Sequence, residues 1–286
     1  MTQRITGHTE LIGLLATPIR HSKSPAMHNA AFEKLGLDYA YLAFEFEPEG
    51  LEDAIKGLKA LNVRGYNVSM PYKTAIIPLL DEISESSRLC QSVNTVVNDN
   101  GRLKGTITDG VGFMEAVKND GVNIIGEKIT VLGAGGVATA ICMQAALDGV
   151  REISIFNKQD GFIDRVLNNI DKINTNTNCK AAFYPLEDQV ALRREIADSV
   201  LLCNATNVGM GKLEGQCLIP DDSFLYPELH VFDVLYAPAE TALLKMAREK
   251  GCHTMNGIHM MIYQGAAAFK LWTRQDMPID YIKTIV

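Results

Sequence analysis

The sequence predicts an α/β protein of two domains. Apolar runs of strand length alternate with helical stretches along most of the chain, a glycine cluster separates one such strand from its helix, and 286 residues suffice for two cores. Apolar residues make up 47% and charged residues 21%, an ordinary globular balance. The net charge of −7 and a pI near 5.4 argue against a nucleic-acid partner, because phosphate binding needs a basic face and no run of Lys and Arg exceeds two residues. No apolar segment approaches the ~20 residues that span a bilayer, and the opening MTQRITGHTE lacks the apolar core of a signal peptide, so no membrane association and a cytoplasmic location are expected. Six cysteines without a CxxC pair and six histidines without an HxH or HxxxH pattern lead us to expect neither disulfides nor a metal site.

From the start of the chain, residues 11–16 form an apolar run bounded by a threonine–proline pair and read as a buried strand. A helix over 25–35 begins behind Ser24, with Pro25 in the first turn, where its missing N–H has no partner to lose. Residues 39–47, YAYLAFEFE, alternate apolar or aromatic side chains with others and predict a second strand, followed by an amphipathic helix over 50–61. A third strand, 65–69, runs into Met70-Pro71-Tyr72-Lys73, where proline ends the strand and starts a helical segment carrying Lys73. A short helix over 84–89 follows, then a strand at 94–98, the turn Asp99-Asn100-Gly101-Arg102 and a segment at 103–107 that returns as a hairpin. Thr108-Asp109-Gly110 opens a helix over 111–118 that bridges into the second half, with Asp109 at its N-terminus, where a carboxylate is favoured.

The second half begins with residues 128–141, KITVLGAGGVATAI, which read as strand, tight turn and helix. In the turn Gly133-Ala134-Gly135-Gly136-Val137-Ala138, Gly133 takes backbone angles that a Cβ would forbid, Gly135 leaves the main chain open to a pyrophosphate, and Ala138 lets helix and strand approach. The following strand, 152–156, stops before Asn157-Lys158-Gln159-Asp160, which places Asn157, Lys158 and Asp160 near the ribose of a bound dinucleotide. A carboxylate there favours NAD and would repel the 2′-phosphate of NADP by up to ~4 kcal/mol at an effective dielectric near 20, before solvent screening. Lys158 would offset part of that, so NAD is the expected cofactor and NADP the weaker alternative.

A strand at 181–184, a helix at 187–196 and strands at 200–205 and 230–235 continue the alternation. A helix over 240–250, capped by Gly251, and a short strand at 252–255 complete it. Ligands lie at the carboxyl ends of such strands, which adds Thr206, Asn207, Val234 and Gly257 to the cofactor-binding candidates. The last helix, 260–271, carries Gln264 in an apolar neighbourhood and is expected to pack back on the first domain.

Ser22, Ser24, Asn67, Ser69, Lys73, Asn94, Asp109 and Gln264 are polar groups at strand ends and helix starts. Singly, each has a plain structural reading: Ser22 in a turn, Ser24 as a helix cap, Asn67 and Asn94 bonded to turns, Lys73 solvated. Jointly they suit a small anionic polyol, with a lysine beside a carboxylate able to take a hydroxyl proton while hydride leaves. The segments IRHSKSPAMHN, GYNVSMPYK, VNTVVN, TDGVGF, VLGAGGVATA and MIYQGAAAF, in that order, resemble those of shikimate dehydrogenases, most closely the branch that also accepts quinate.

That resemblance spans nearly the whole chain and implies a substrate domain of residues 1–109 with 258–286, and an inserted Rossmann NAD-binding domain of residues 110–257. It implies reversible oxidation of shikimate to 3-dehydroshikimate and, as a further substrate, of quinate to 3-dehydroquinate. Lys73 and Asp109 match the catalytic pair; Ser22 and Ser24 would hold the substrate carboxylate, and Asn67, Ser69, Asn94 and Gln264 the ring hydroxyls. Tyr41 matches a tyrosine of the quinate-accepting branch, although plain packing also suits an aromatic strand residue, and Tyr236 matches one that closes over the carboxylate. A homodimer is the candidate assembly. Two other readings stand beside this one: an oxidoreductase like methylenetetrahydrofolate dehydrogenase, which the paired serines disfavour, and a silent dinucleotide sensor, which would not need Lys73 and Asp109.

Overall fold

The computed structural model describes residues 5–159 and 163–286 and divides the chain into two compact units, Met1–Gly112 with Ile262–Val286, and Phe113–Met261. Asp160, expected near the ribose, lies outside the described residues.

The first unit opens with β1 (Glu10–Leu15), α1 (Ser24–Leu35), β2 (Tyr39–Phe44), α2 (Leu51–Ala60), β3 (Gly65–Val68) and the single turn α3 (Tyr72–Ala75). It continues with β4 (Glu82–Ile83), α4 (Glu85–Cys90), β5 (Thr95–Asp99), β6 (Arg102–Thr106) and the start of α5 (Asp109–Asn119). The second strand is shorter than its alternation predicts. Its last pairing is Leu15 with Phe44; beyond it Glu45 accepts the Ile19 N–H and pairs with Arg20, which turns the chain out of the sheet ahead of Pro48. At the β5–β6 turn Asn100 and Gly101 have φ of 52° and 89°, the left-handed pair that a tight hairpin demands.

The sheet order is β2-β1-β3-β5-β6-β4. Strands β2, β1 and β3 run parallel, β5 runs against β3, and β6 runs against β5. The carboxyl ends of β1, β3 and β6 and the amino end of β5 therefore share one edge, and the order β2-β1-β3 reverses at β1, which opens a crevice there. Leu15, Ile55, Tyr66, Val68, Tyr72, Ile76 and Val96 pack in the core beneath it. The part of α10 (Ile258–Thr273) that belongs to this unit crosses the sheet, where the indole of Trp272 donates to the Val96 carbonyl at 3.0 Å. Gly65 makes that possible, since a Cβ there would lie 2.3 Å from the indole nitrogen. The short α11 (Ile279–Ile282), which the sequence reading passes over, packs on α1.

The second unit contains β7 (Lys128–Leu132), α6 (Gly136–Asp148), β8 (Glu152–Asn157), α7 (Ile163–Asn176), β9 (Lys180–Pro185) and α8 (Gln189–Ala197). It ends with β10 (Leu201–Asn204), β11 (His230–Asp233), α9 (Ala242–Lys250) and β12 (His253–Met255). The order β12-β11-β10-β7-β8-β9, with every pair parallel, is the doubly wound arrangement whose crevice opens where β7 adjoins β10. Helix α7 is a further element missing from the sequence reading. Its buried face is only Val166, Ile170 and Ile173, set in a run otherwise rich in Asn, Asp and Lys. At the amino ends of the strands, buried Lys128 donates to Glu195 at 2.5 Å. Burial raises the Glu195 carboxyl, but hydrogen bonds from Lys128, Ser154 and Arg194 outweigh it and bring the group down to about 2.

Candidate active site

Lys73 reaches the crevice of the first unit because Pro71 ends β3 and caps α3, and because the Val93 N–H holds the Lys73 carbonyl at 2.8 Å. Asp109 reaches the same edge at the first turn of α5, directly after β6. The Lys73 Nζ donates to Asp109 Oδ2 at 2.6 Å, and Asn94 Nδ2 donates to Asp109 Oδ1 at 2.8 Å. The two charged side chains are 19% and 12% exposed, enclosed enough to strengthen the pair yet open to a ligand.

Other sequence candidates join this pair through hydrogen bonds. The Tyr41 hydroxyl donates to Asn67 Oδ1 at 2.7 Å and is bonded to the Ser24 side chain; burial pushes its phenol well above the usual tyrosine range, so it remains a neutral donor. Asn67 Nδ2 donates to the Asn94 carbonyl at 3.1 Å and to Thr95 Oγ1 at 3.0 Å. Thr108 Oγ1 lies 3.4 Å from Gln264 Oε1 and 3.2 Å from Asn94 Oδ1, which ties α10 to the same network. Ser22 Oγ accepts the Ser24 N–H at 3.2 Å, while Ser69 is held by its backbone, donating to Leu15 at 2.9 Å. Tyr41 itself is 1% exposed. A ligand in the crevice would therefore meet it through Ser24 and Asn67. Tyr236 belongs to the second unit, exposed just after β11.

The sequence reading missed Thr95, Thr108 and His28. The first two adjoin Asn94 and Asp109 in the segments VNTVVN and TDGVGF, and their burial is what sets them apart from surface threonines. His28 is wholly buried on α1, stacked at 4.5 Å on Tyr41 and edge-on at 5.4 Å to Trp272; neither ring nitrogen has a hydrogen-bond partner among the described residues, and burial lowers it to about 3.

In the second unit the glycine turn divides by role. Gly133 has φ of 102°, and a Cβ would lie 2.6 Å from the Thr206 methyl and 3.0 Å from the Ala205 carbonyl. Gly135 and Gly136 have nothing within 4 Å of a Cβ position, so internal packing leaves those two bare positions unexplained. Gly135 also caps α6 without a side chain, which leaves first-turn N–H groups for an anion, and Ala134 and Val137 flank them half-buried. Ala138 is buried against the strand. The fit to a pyrophosphate is good.

Asn157 ends β8 and donates to the Lys158 carbonyl at 2.9 Å, with Lys158 exposed. Thr206 is anchored by donating to Asn204 Oδ1 at 2.7 Å, and Asn204 donates in turn to buried Asp233 at 3.1 Å, whose carboxyl burial raises. Asn207 is exposed beside Thr206, at the carboxyl end of β10. Gly257 is buried, and a Cβ on it would lie 1.9 Å from the Val234 carbonyl, so these two meet by close backbone packing.

Residues 14–96 match the model of the shikimate dehydrogenase substrate-binding domain, and residues 257–286 that of the shikimate 5′-dehydrogenase C-terminal domain. A shikimate dehydrogenase (NADP(+)) of Listeria innocua is 58% identical over 286 residues, covering 100% of this chain and 98% of that protein. The chain belongs to the shikimate dehydrogenase family. Among solved structures of this family, the shikimate 5-dehydrogenase of Listeria monocytogenes, in complex with shikimate and NAD, has 58% identity and a TM-score of 0.98 over 100% of this chain and 99% of its own. A quinate dehydrogenase of Corynebacterium glutamicum in complex with NAD is similar at 30% identity and a TM-score of 0.87, over 97% of this chain and 98% of its own.

Proposed function

We propose that this protein is an NAD(P)-dependent shikimate dehydrogenase that interconverts shikimate and 3-dehydroshikimate. The observation that carries the proposal is the Lys73–Asp109 pair at the crevice of the first unit, in a chain 58% identical over its full length to shikimate dehydrogenases. When bound, the nicotinamide cofactor supplies the hydride acceptor. The hydroxyl proton of the substrate passes to the Lys73–Asp109 pair, and in reduction the Lys73 ammonium returns it to the carbonyl oxygen as negative charge develops there. Asp109 orients the amine through Oδ2, while Asn94 holds Oδ1 and so prevents the carboxylate from turning away. Ser22 and Ser24 hold the substrate carboxylate through hydroxyl donors, and Asn67, Ser69 and Gln264 flank the ring hydroxyls. Tyr236 is the candidate to cover the carboxylate.

Gly133 to Ala138 hold the cofactor pyrophosphate at the start of α6, Asn157, Lys158 and Asp160 meet the ribose, and Thr206, Asn207, Val234 and Gly257 line the switch point. NAD is the preferred cofactor and NADP an accepted one: the name of the Listeria innocua relative specifies NADP(+), and the Listeria monocytogenes structure holds NAD. Quinate is a lesser substrate, supported by a relative at 30% identity. No helix among the described residues is long and apolar enough to cross a membrane, and five of the six cysteines are buried as thiols, which fits the reducing cytoplasm. Rates of nicotinamide reduction with shikimate and with quinate, each with NAD and with NADP, test the assignment. Turnover with shikimate supports it, and none with either acid overturns it.

A further inference from the structure

The hydrogen bonds around Asn67 have a direction that backbone groups impose. The Asn94 carbonyl can only accept, so it accepts a hydrogen bond from Asn67 Nδ2, and the Asn67 carbonyl oxygen consequently faces Tyr41. The Thr108 N–H can only donate, and it donates to Asn94 Oδ1 at 2.9 Å, which turns Asn94 Nδ2 toward Asp109. One hydroxyl connects these two oriented amides: Thr95 Oγ1 accepts the second Asn67 N–H at 3.0 Å and donates to Asn94 Oδ1 at 3.0 Å. With both of its N–H groups engaged, Asn67 can offer a ligand only the remaining lone pair of its oxygen, and a lone pair recognises a hydroxyl and rejects a carbonyl. Thr95 is 0% exposed and lies beneath the surface of the crevice.

We infer that Thr95 is a positioning residue that engages the Asn67 N–H left over from the Asn94 carbonyl, keeps that amide purely an acceptor toward the crevice, and so sets the affinity for a hydroxyl-bearing ring acid through Asn67. This rests on the shikimate-oxidising reading above. Asn94 keeps its bond from the Thr108 N–H when Thr95 is changed, so the Lys73–Asp109 pair is buffered and the effect falls on substrate binding.

The test is steady-state kinetics of Thr95→Val and Thr95→Ser beside the wild type, with thermal melting as a control. Thr95→Val, nearly isosteric but without the hydroxyl, is expected to raise KM for shikimate about 10-fold, equivalent to ~1.4 kcal/mol. Its kcat should stay within roughly three-fold and its KM for the nicotinamide cofactor within roughly two-fold, because the contact loosened is made to the ring acid equally in the ground state and the transition state. Thr95→Ser restores the hydroxyl and should restore KM. Unchanged KM in Thr95→Val, a parallel rise of KM for substrate and cofactor, or a serine variant as impaired as the valine one would each overturn the inference. If Thr95→Val does not fold, Thr95→Ala, which also removes the hydroxyl that holds Asn67 Nδ2, must give the same rise in shikimate KM alone, and a wild-type KM there would count against the inference. Absence of shikimate turnover in the wild type would instead defeat the functional assignment, so the two failures are separable.

Discussion

Replacing His28 by phenylalanine should flatten the acid sensitivity of the first unit. Burial lowers His28 from 6.5 to about 3, so in the folded state it remains neutral at every pH at which the unfolded chain begins to take up a proton. The stability contributed by neutral His28 is complete above the unfolded value of 6.5 and is lost progressively as the pH falls from there toward 3. At a pH of about 5 the unfolded histidine lies about 1.5 pH units below its own pKa, which at 1.36 kcal/mol per unit makes the loss about 2 kcal/mol.

Trp272, the single tryptophan, is buried in the same unit 5.4 Å from the His28 ring, so its fluorescence reports unfolding at the site of the change. With a urea slope of roughly 2 kcal/mol per molar, the wild-type midpoint should fall by about 1 M more than that of His28→Phe between a pH of about 7 and about 5. Carboxylates elsewhere shift both proteins alike and cancel in the difference. Equal shifts in the two proteins would refute the reasoning.

Gly133→Ala and Gly135→Ala should fail in different ways. The first forces a left-handed φ on alanine and sets its Cβ against Thr206, so the second unit should lose ~1–3 kcal/mol of stability along with cofactor affinity, seen in melting and in cofactor titration. The second meets no atom of the described residues within 4 Å, so melting should be unchanged while the KM for the cofactor rises; equal melting losses in both variants would contradict the assignment of Gly135 to the pyrophosphate. Shikimate should exceed quinate in kcat/KM, as the 58% and 30% identities to the named relatives suggest, and a preference for quinate in a side-by-side assay would reverse the substrate assignment.

The doubly wound sheet was legible in the sequence because its strands are buried on both faces and read as unbroken apolar runs, and because the turn after β7 requires glycine for steric reasons that hold in any context. The first unit was legible as an alternation of strands and helices. Its mixed sheet was only partly so, since β4 is two residues long and pairs with β6 at the edge of the sheet opposite β2, with the β5 and β6 hairpin between itself and β3. Helix α7 was legible too, with Ile163, Val166, Leu167, Ile170 and Ile173 at helical spacing among polar residues, and the sequence reading passed over it.

At the site, most of the charged and amide residues stood out because they occupied a strand end or helix start, and Gln264 because it is polar in the apolar middle of α10. Thr95, Thr108 and His28 did not, because their importance lies in burial and in hydrogen-bond direction, and both are properties of the packed structure. A threonine in a strand is ordinary until its hydroxyl is found to connect two amides.

In the proposed reaction Lys73, held by Asp109, handles the proton of the reacting hydroxyl. The most direct test of this role is kcat for shikimate oxidation by Lys73→Ala, followed through nicotinamide absorbance with cofactor binding measured in parallel. The kcat of this variant should be lower by roughly 100-fold or more with cofactor affinity retained. Turnover close to that of the wild type would contradict it.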